Sequence, residues 1–241
     1  MQLLILNPNT SVSVTERLRE HVAAVAAPEV VLHAVTAAFG ARYIADETSF
    51  AVAGHAALDA YANHCQRQGK PDAVLVGCFG DPGVWALREL SGLPVVGLAE
   101  AAMREAAGFG RFAIVTGGVA WDPMLRRLAR ALGFAGALTG VHVVAPTGAQ
   151  LAADPDTAVS VLGQACRQAA AGSDAVVLGG ANLAGMAARL APHLDVPLID
   201  SVTAGAKALW GDCSDFVAPA LTVTEPAGLE GVSAALRRLM R

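Results

Sequence analysis

Asp72-Ala-Val-Leu-Val-Gly-Cys-Phe-Gly-Asp-Pro-Gly83 lies without a gap over Asp174-Ala-Val-Val-Leu-Gly-Gly-Ala-Asn-Leu-Ala-Gly185. Both copies open with Asp-Ala-Val, run through an apolar stretch to a Gly, and carry another Gly five residues beyond Cys78 or Gly180. Each leads on to Leu93-Pro-Val-Val96 or Val196-Pro-Leu-Ile199 and then to an Ala-rich segment. The opening Leu3-Leu-Ile-Leu-Asn7 resembles Phe112-Ala-Ile-Val-Thr116 in the same way. Any two buried strands share Val and Leu, but not the flanking Asp and the spaced glycines. The pattern therefore reads as a duplication, with two halves of about four βα units and the first half ending near Gly97.

Along the rest of the chain, short apolar runs alternate with amphipathic stretches. Strands are expected at Leu3–Leu6, Val30–Val35, Ala73–Val76, Val95–Gly97, Phe112–Val115, Val141–Val144, Ala175–Leu178 and Leu198–Ile199. Helices are expected at Ser13–Ala26, Ser49–Gln68, Pro123–Leu132, Thr157–Ala171 and Val202–Leu209. Ser11 or Ser13, Asp122 and Asp156 are candidate N-caps, and Pro123 suits a first helical position. This alternation predicts an α/β fold with parallel sheets covered on both faces. The lobes are assigned as 1–98 plus 208–241, and 99–207. Ligands in such sheets bind beyond the carboxyl ends of the strands, so both sets of loops would meet at one cleft.

Composition agrees with that class. The 241 residues are 54% hydrophobic and only 5% aromatic, which suits Val-rich buried strands and Ala-lined helices and argues against disorder. Net charge is −4 with no basic run, which argues against a nucleic-acid partner. No apolar run reaches the ~18 residues of a membrane helix, and the first residues carry no secretory pattern. Cys65, Cys78, Cys166 and Cys213 form no metal-ligand or disulfide spacing, so a cytoplasmic location is expected.

Cys78 is the residue best placed for chemistry. It follows a buried strand and sits in Gly77-Cys78-Phe79-Gly80-Asp81-Pro82-Gly83, whose glycines permit a tight turn and a close ligand approach. A helix starting just beyond would favour the thiolate, giving a base or nucleophile. Cys65 and Cys166 fall within helical patterns and read as packing residues, and Cys213 lies in a loop. Asn7-Pro8-Asn9-Thr10-Ser11 after the first strand offers amides and hydroxyls for carboxylate or imide oxygens, although helix capping alone also accounts for them. Thr116-Gly117-Gly118 and Gly179-Gly180-Ala181-Asn182 occupy the matching strand ends. There is no P-loop, no GxGxxG and no GxSxG elbow. His21, His55, His64, His142 and His193 are scattered, without paired spacing. Asp200-Ser201 either lines the cleft or caps the next helix.

Asn7–Ser11, Gly77–Gly83 and the run Val95-Val96-Gly97-Leu98-Ala99-Glu100-Ala101, in that order, resemble the hydantoin racemases of the aspartate/glutamate racemase superfamily. That group also holds allantoin racemases, maleate isomerases and arylmalonate decarboxylases. The resemblance implies two flavodoxin-like lobes, each a parallel four-stranded sheet, with the active site between them and no metal or organic cofactor. It also implies two cysteines, one per lobe, acting on opposite faces of an acidic C–H. Here the second-lobe position holds Gly180, so Cys78 stands without its counterpart. Asp46, Asp81, Cys213 or water are the candidates to replace it.

The implied activity is a cofactor-independent racemase acting on a hydantoin-like or small carboxylate substrate, with Cys78 as base or acid. Asn7, Asn9, Thr10, Ser11, Phe79, Gly80, Thr116, Gly117, Gly118, Gly179, Gly180, Ala181 and Asn182 would contact the substrate. The alternatives are a single-cysteine decarboxylase or cis–trans isomerase, and an inactive small-ligand binder. Apolar helices also suggest a homo-oligomer.

Overall fold

The computed structural model describes residues 1–211, 213–218 and 230–240. It contains two parallel four-stranded sheets with helices on both faces. In the first, β1 (Gln2–Asn7), β2 (Val31–Thr36), β3 (Ala73–Val76) and β4 (Val95–Gly97) lie in the order β2-β1-β3-β4. In the second, β5 (Phe112–Gly117), β6 (Leu138–Val144), β7 (Ala175–Gly179) and β8 (Leu198–Asp200) repeat that order as β6-β5-β7-β8. The two copies of the repeat do the same work. Asp72 Oδ2 accepts the Gln2 amide at 2.7 Å, and Asp174 Oδ2 accepts the Arg111 amide at 2.7 Å. Each aspartate thus ties the start of its strand to the neighbouring one.

The connecting helices are α1 (Val12–Ala23), α2 (Glu47–Gln68), α3 (Val84–Ser91), α4 (Leu98–Ala107), α5 (Trp121–Ala131), α6 (Gly148–Ala153), α7 (Pro155–Ala170), α8 (Met186–Leu190) and α9 (Ser201–Ala208). Strand side chains alternate between two environments, as a two-residue period requires. Leu4, Leu6, Val74 and Val76 pack under α2 and α3 against Tyr61 and Leu87. Ala113, Val115, Val176 and Leu178 pack on α7 against Ala158 and Leu162. The opposite faces of both sheets, with Leu3, Ile5 and Leu75 from one and Phe112, Ile114 and Val177 from the other, share one core with α1, α4 and α9. The lobes are therefore joined by hydrocarbon, and their strand-end loops are held toward each other.

Several local expectations need correction. β2 starts at Val31 rather than Val30, and β6 begins at Leu138, three residues before the expected Val141. Asp122 is not an N-cap: the helix begins at Trp121, and Asp122 within its first turn pairs with Arg126. Pro123 is accordingly not at the first position. The cap of α7 is Asp154, not Asp156, and its side chain accepts the Thr157 amide at 3.1 Å. Ser11 holds the cap position of α1 but makes no side-chain cap bond, its hydroxyl turning to Ser13.

The last described helix, α10 (Ala234–Leu239), seats Ala235 and Leu236 against Ala62 of α2. Residues 219–229 of the segment assigned to the first lobe lie outside the described residues. No described helix is long and apolar enough to cross a membrane.

Candidate active site

The carboxyl ends of β1, β3, β5 and β7 converge on a small cavity of about 40 Å³ that Cys78 lines. Asn9 and Phe79 border it from the first lobe, and Thr116, Gly117, Gly179, Gly180, Ala181 and Asn182 from the second. The local sequence explains the position of the thiol. Gly77 continues the sheet by donating to Leu6 O at 2.8 Å, and the chain then turns, with Asp81 N donating to Cys78 O at 3.1 Å. Gly80 (φ 136°) and Gly83 (φ 80°) take backbone angles that a side chain disfavours, and Asp81 (φ 62°) is the described non-glycine residue with positive φ. Gly77 is fixed by packing, since a Cβ there would lie 2.3 Å from Leu18 Cδ1.

The second-lobe wall is assembled from both lobes. Thr116 Oγ1 donates to Gly179 O at 2.8 Å, and Gly180 N donates to Ser201 Oγ at 3.2 Å. From α1, Arg17 donates to Asn182 O at 3.0 Å. The His21 ring covers Gly185, where a Cβ would lie 2.3 Å from Nε2. Arg17 and His21 were not anticipated as bracing residues, because nothing in a lone helical Arg or His marks a partner in the other lobe.

Asn7 does not contact the cavity. It is fully buried, and its Nδ2 faces Asn9 Oδ1 at 2.9 Å, Ser11 O at 3.0 Å and Thr15 Oγ1 at 3.0 Å. It shapes the loop that brings Asn9 to the cavity. Asn9 Oδ1 is taken by Ser11 N at 2.8 Å, while its Nδ2 donates to no described group and is free for a ligand oxygen. Thr10 is turned to Ala41 O through its amide, and Ser11 lies in a separate surface depression. Gly80 and Gly118 flank Trp121 instead of lining the cavity. Tyr43, Ile44, Val14, Trp121 and Leu183 also line it and were missed. Of these, Trp121, an aromatic three residues after the strand-end pair Gly117-Gly118, carried the most usable signal.

The expected thiolate is not what this environment favours. Cys78 is 7% exposed and embedded in the shared core, so burial pushes its thiol well above the ordinary value, and the neighbouring Asp81 pushes it further. The start of α3, at Val84, does not offset this. Asp81 itself points into the N-terminus of α4, accepting Ala99 N at 2.9 Å and Glu100 N at 2.7 Å. Burial raises its carboxyl to about 7 against the pull of those two bonds. It fits there because the cap residue of α4 is Gly97, where a Cβ would lie 2.2 Å from Asp81 Cγ. In the second lobe the matching cap is Asp200, which accepts Val202 N and Thr203 N and reaches back to Gly185 N at 2.9 Å. One carboxylate spans each junction, donated from opposite sides.

Among the suggested stand-ins for a second thiol, Asp46 caps α2 at an exposed site, Asp81 is spent on α4, and Cys213 Sγ turns to Ala208 O at 3.4 Å. None of the three borders the cavity. Cys65 and Cys166 sit in helices, and burial raises both, Cys166 to about 12. No group of three His, Cys, Asp or Glu positioned for a metal occurs among the described residues.

The model of a family described as Asp/Glu/hydantoin racemase matches residues 3–209. The hydantoin racemase of Paenarthrobacter aurescens is 31% identical over 210 residues, covering 86% of this chain and 89% of that protein. The solved allantoin racemase of Klebsiella pneumoniae is 32% identical with a TM-score of 0.84, covering 96% of each chain. That of Pseudomonas fluorescens is 28% identical with a TM-score of 0.79, over 86% of this chain and 88% of the other.

Proposed function

This chain belongs to the Asp/Glu/hydantoin racemase family of isomerases, and we propose that it racemises a hydantoin-type substrate by moving a proton between Cys78 and an acidic ring C–H. The observation that carries this reading is the position of Cys78 at the end of β3, lining one cavity together with the strand ends of the second lobe. Hydantoin and allantoin, for which the relatives above are named, share a cyclic imide with an acidic ring carbon, and the polar groups here suit such a ring.

In this reading the Cys78 thiolate takes the α-proton and becomes a thiol, while the electron pair moves into the neighbouring carbonyl. The free Asn9 Nδ2, with Asn182 across the cavity, donates to the oxygens on which that charge develops, and such preorganised donors supply much of the acceleration. On the far face Gly180 offers no side chain, so the enolate takes its proton there from water. The hydroxide left behind removes the proton from Cys78, which restores the thiolate and closes the balance. Because burial raises the thiol, turnover is limited by its ionised fraction, and kcat/KM rises with pH above neutrality.

Gly180 supports a second reading as well. With one thiol, a reaction that needs only one face is sufficient, such as decarboxylation of a small diacid followed by protonation from Cys78. Polarimetry of enantiopure 5-substituted hydantoins distinguishes the two. Loss of rotation with the wild-type chain, absent in Cys78→Ala, supports racemisation; unchanged rotation with every hydantoin overturns it in favour of the one-faced reaction.

A further inference from the structure

Gly180 leaves its side of the thiol cavity without a side-chain acid, yet the cavity holds a second titratable proton. Among the described residues that border it, the polar side chains are Asn9, Tyr43, Cys78, Thr116, Trp121 and Asn182. Amide, alcohol and indole groups hold their protons too tightly for acid catalysis near neutral pH, whereas thiols and phenols serve as general acids. Beside Cys78, that leaves Tyr43. The cavity is only about 40 Å³, so a carbon seated against the thiol lies close to the other walls as well.

The phenol belongs to the first lobe by sequence and to the second by position. Tyr43 lies in the loop between β2 and α2, where Ala41 O accepts Thr10 N at 3.1 Å and Ile44 is buried in the shared core. Asp46, at the end of that loop, caps α2. The loop is thus held on both sides of Tyr43, and the hydroxyl reaches across to donate to Gly117 O at 3.3 Å. Gly117 ends β5, and β5 pairs with β7, the strand that Gly180 follows. Neighbouring strands lie about 4.8 Å apart, so the hydroxyl stands one strand away from the place a second thiol would occupy. Cys78, by contrast, sits at the end of a first-lobe strand. A bond of 3.3 Å is long for a hydroxyl donor, so its hydrogen is easily turned to a ligand.

Resting on the racemase reading above, we propose that Tyr43 is the second catalytic residue, the acid that carries the solvent proton to the face of the enolate away from Cys78. The Tyr43 O–H bond breaks as the carbonyl re-forms and the new C–H bond is made. The phenolate takes a proton from water, and the hydroxide left behind removes the proton from the Cys78 thiol, so atoms and charge balance over the cycle. Microscopic reversibility gives the other enantiomer the reverse path, in which the phenolate takes the proton and the thiol returns one. A Cys78–Tyr43 pair that has lost one proton therefore serves both directions.

The test follows each enantiomer of 5-benzylhydantoin in D2O, by NMR for the α-proton and by polarimetry for rotation, with the wild type and Tyr43→Phe. The wild type is expected to exchange and racemise both. Tyr43→Phe should racemise about a hundredfold more slowly, yet still exchange one enantiomer, the one whose C–H meets Cys78, with its rotation kept. Racemisation by Tyr43→Phe at the wild-type rate overturns the proposal and leaves the racemase reading standing. Equal loss of exchange from both enantiomers also overturns it, since a group needed only for binding or folding has no preferred face. A wild type that exchanges neither enantiomer removes the racemase reading and this proposal with it. Tyr43 and Tyr61 are the two tyrosines of the chain, and Tyr61 is sealed in the core. Biosynthetic 3-fluorotyrosine therefore makes the phenol at position 43 more acidic with little change of shape. The pH profile of kcat should then move to lower pH, and an unmoved profile overturns the proposal whether or not Tyr43→Phe folds.

Discussion

The ring of Phe79, from the first lobe, fills the space where a side chain on Gly179 of the second would begin: a Cβ built there would lie 2.2 Å from Cε1 and 2.3 Å from Cζ. Thiol loop and opposing loop are thereby packed ring against backbone. Gly179→Ala is expected to cost about 1–3 kcal/mol, since the ring is held in a tight core and can give little. Adding Phe79→Leu should return part of that loss. Urea midpoints of the two single variants and the double variant read the coupling.

The carboxylate of Asp81 raises the Cys78 thiol, so removing its charge should ease ionisation. In Asp81→Asn the pH dependence of Cys78 alkylation by iodoacetamide, followed by peptide mass spectrometry, is expected to move to lower pH. An unchanged profile would mean that burial alone controls the thiol.

Asp81 also predicts a pH dependence of stability. Its carboxyl is raised from 3.8 to about 7 in the folded chain, so between those values the folded state holds a proton that the unfolded state has lost. Its contribution is complete below about pH 4 and is lost as pH rises through about 7. The Tm of the wild type should fall across that window relative to Asp81→Asn.

Glu100 is 2% exposed and receives Arg88 and Arg104, with Arg88 itself 6% exposed. Glu100→Ala strands a buried guanidinium and should destabilise by about 3–5 kcal/mol in chemical denaturation. Glu100→Gln, which keeps an acceptor, should cost less.

A Cβ at Gly180 would meet only Leu183, at 3.4 Å and beyond, so space is not the obstacle to a second thiol. The obstacle is φ 142°, a backbone angle costing an L-residue about 1–3 kcal/mol. Gly180→Cys should lower the urea midpoint while raising the rate of racemisation several-fold.

The architecture was legible because its signals are periodic. Asp72 and Asp174, with the glycines that follow them, marked two equivalent strands, and the unbroken apolar run Leu3 to Leu6 marked a strand buried on both faces. Cys78 was legible from its glycine frame. The partners across the cleft were not, because contacts such as Arg17 with Asn182 O join residues with no shared local pattern. Capping was misassigned at α7, where Asp154 and Asp156 compete and backbone geometry chooses between them, and at α5, where the helix starts after Ala120 and takes Asp122 into its first turn. The protonated thiol was missed because helix position was weighed and desolvation was not.

The claim on which the rest depends is that Cys78 carries the proton. Enantiopure 5-benzylhydantoin in D2O, followed by NMR for loss of the α-proton, tests it most directly. Exchange catalysed by the wild type and abolished in Cys78→Ala, with the variant still folded by circular dichroism, is the predicted result. Exchange that persists at the wild-type rate in Cys78→Ala would contradict it.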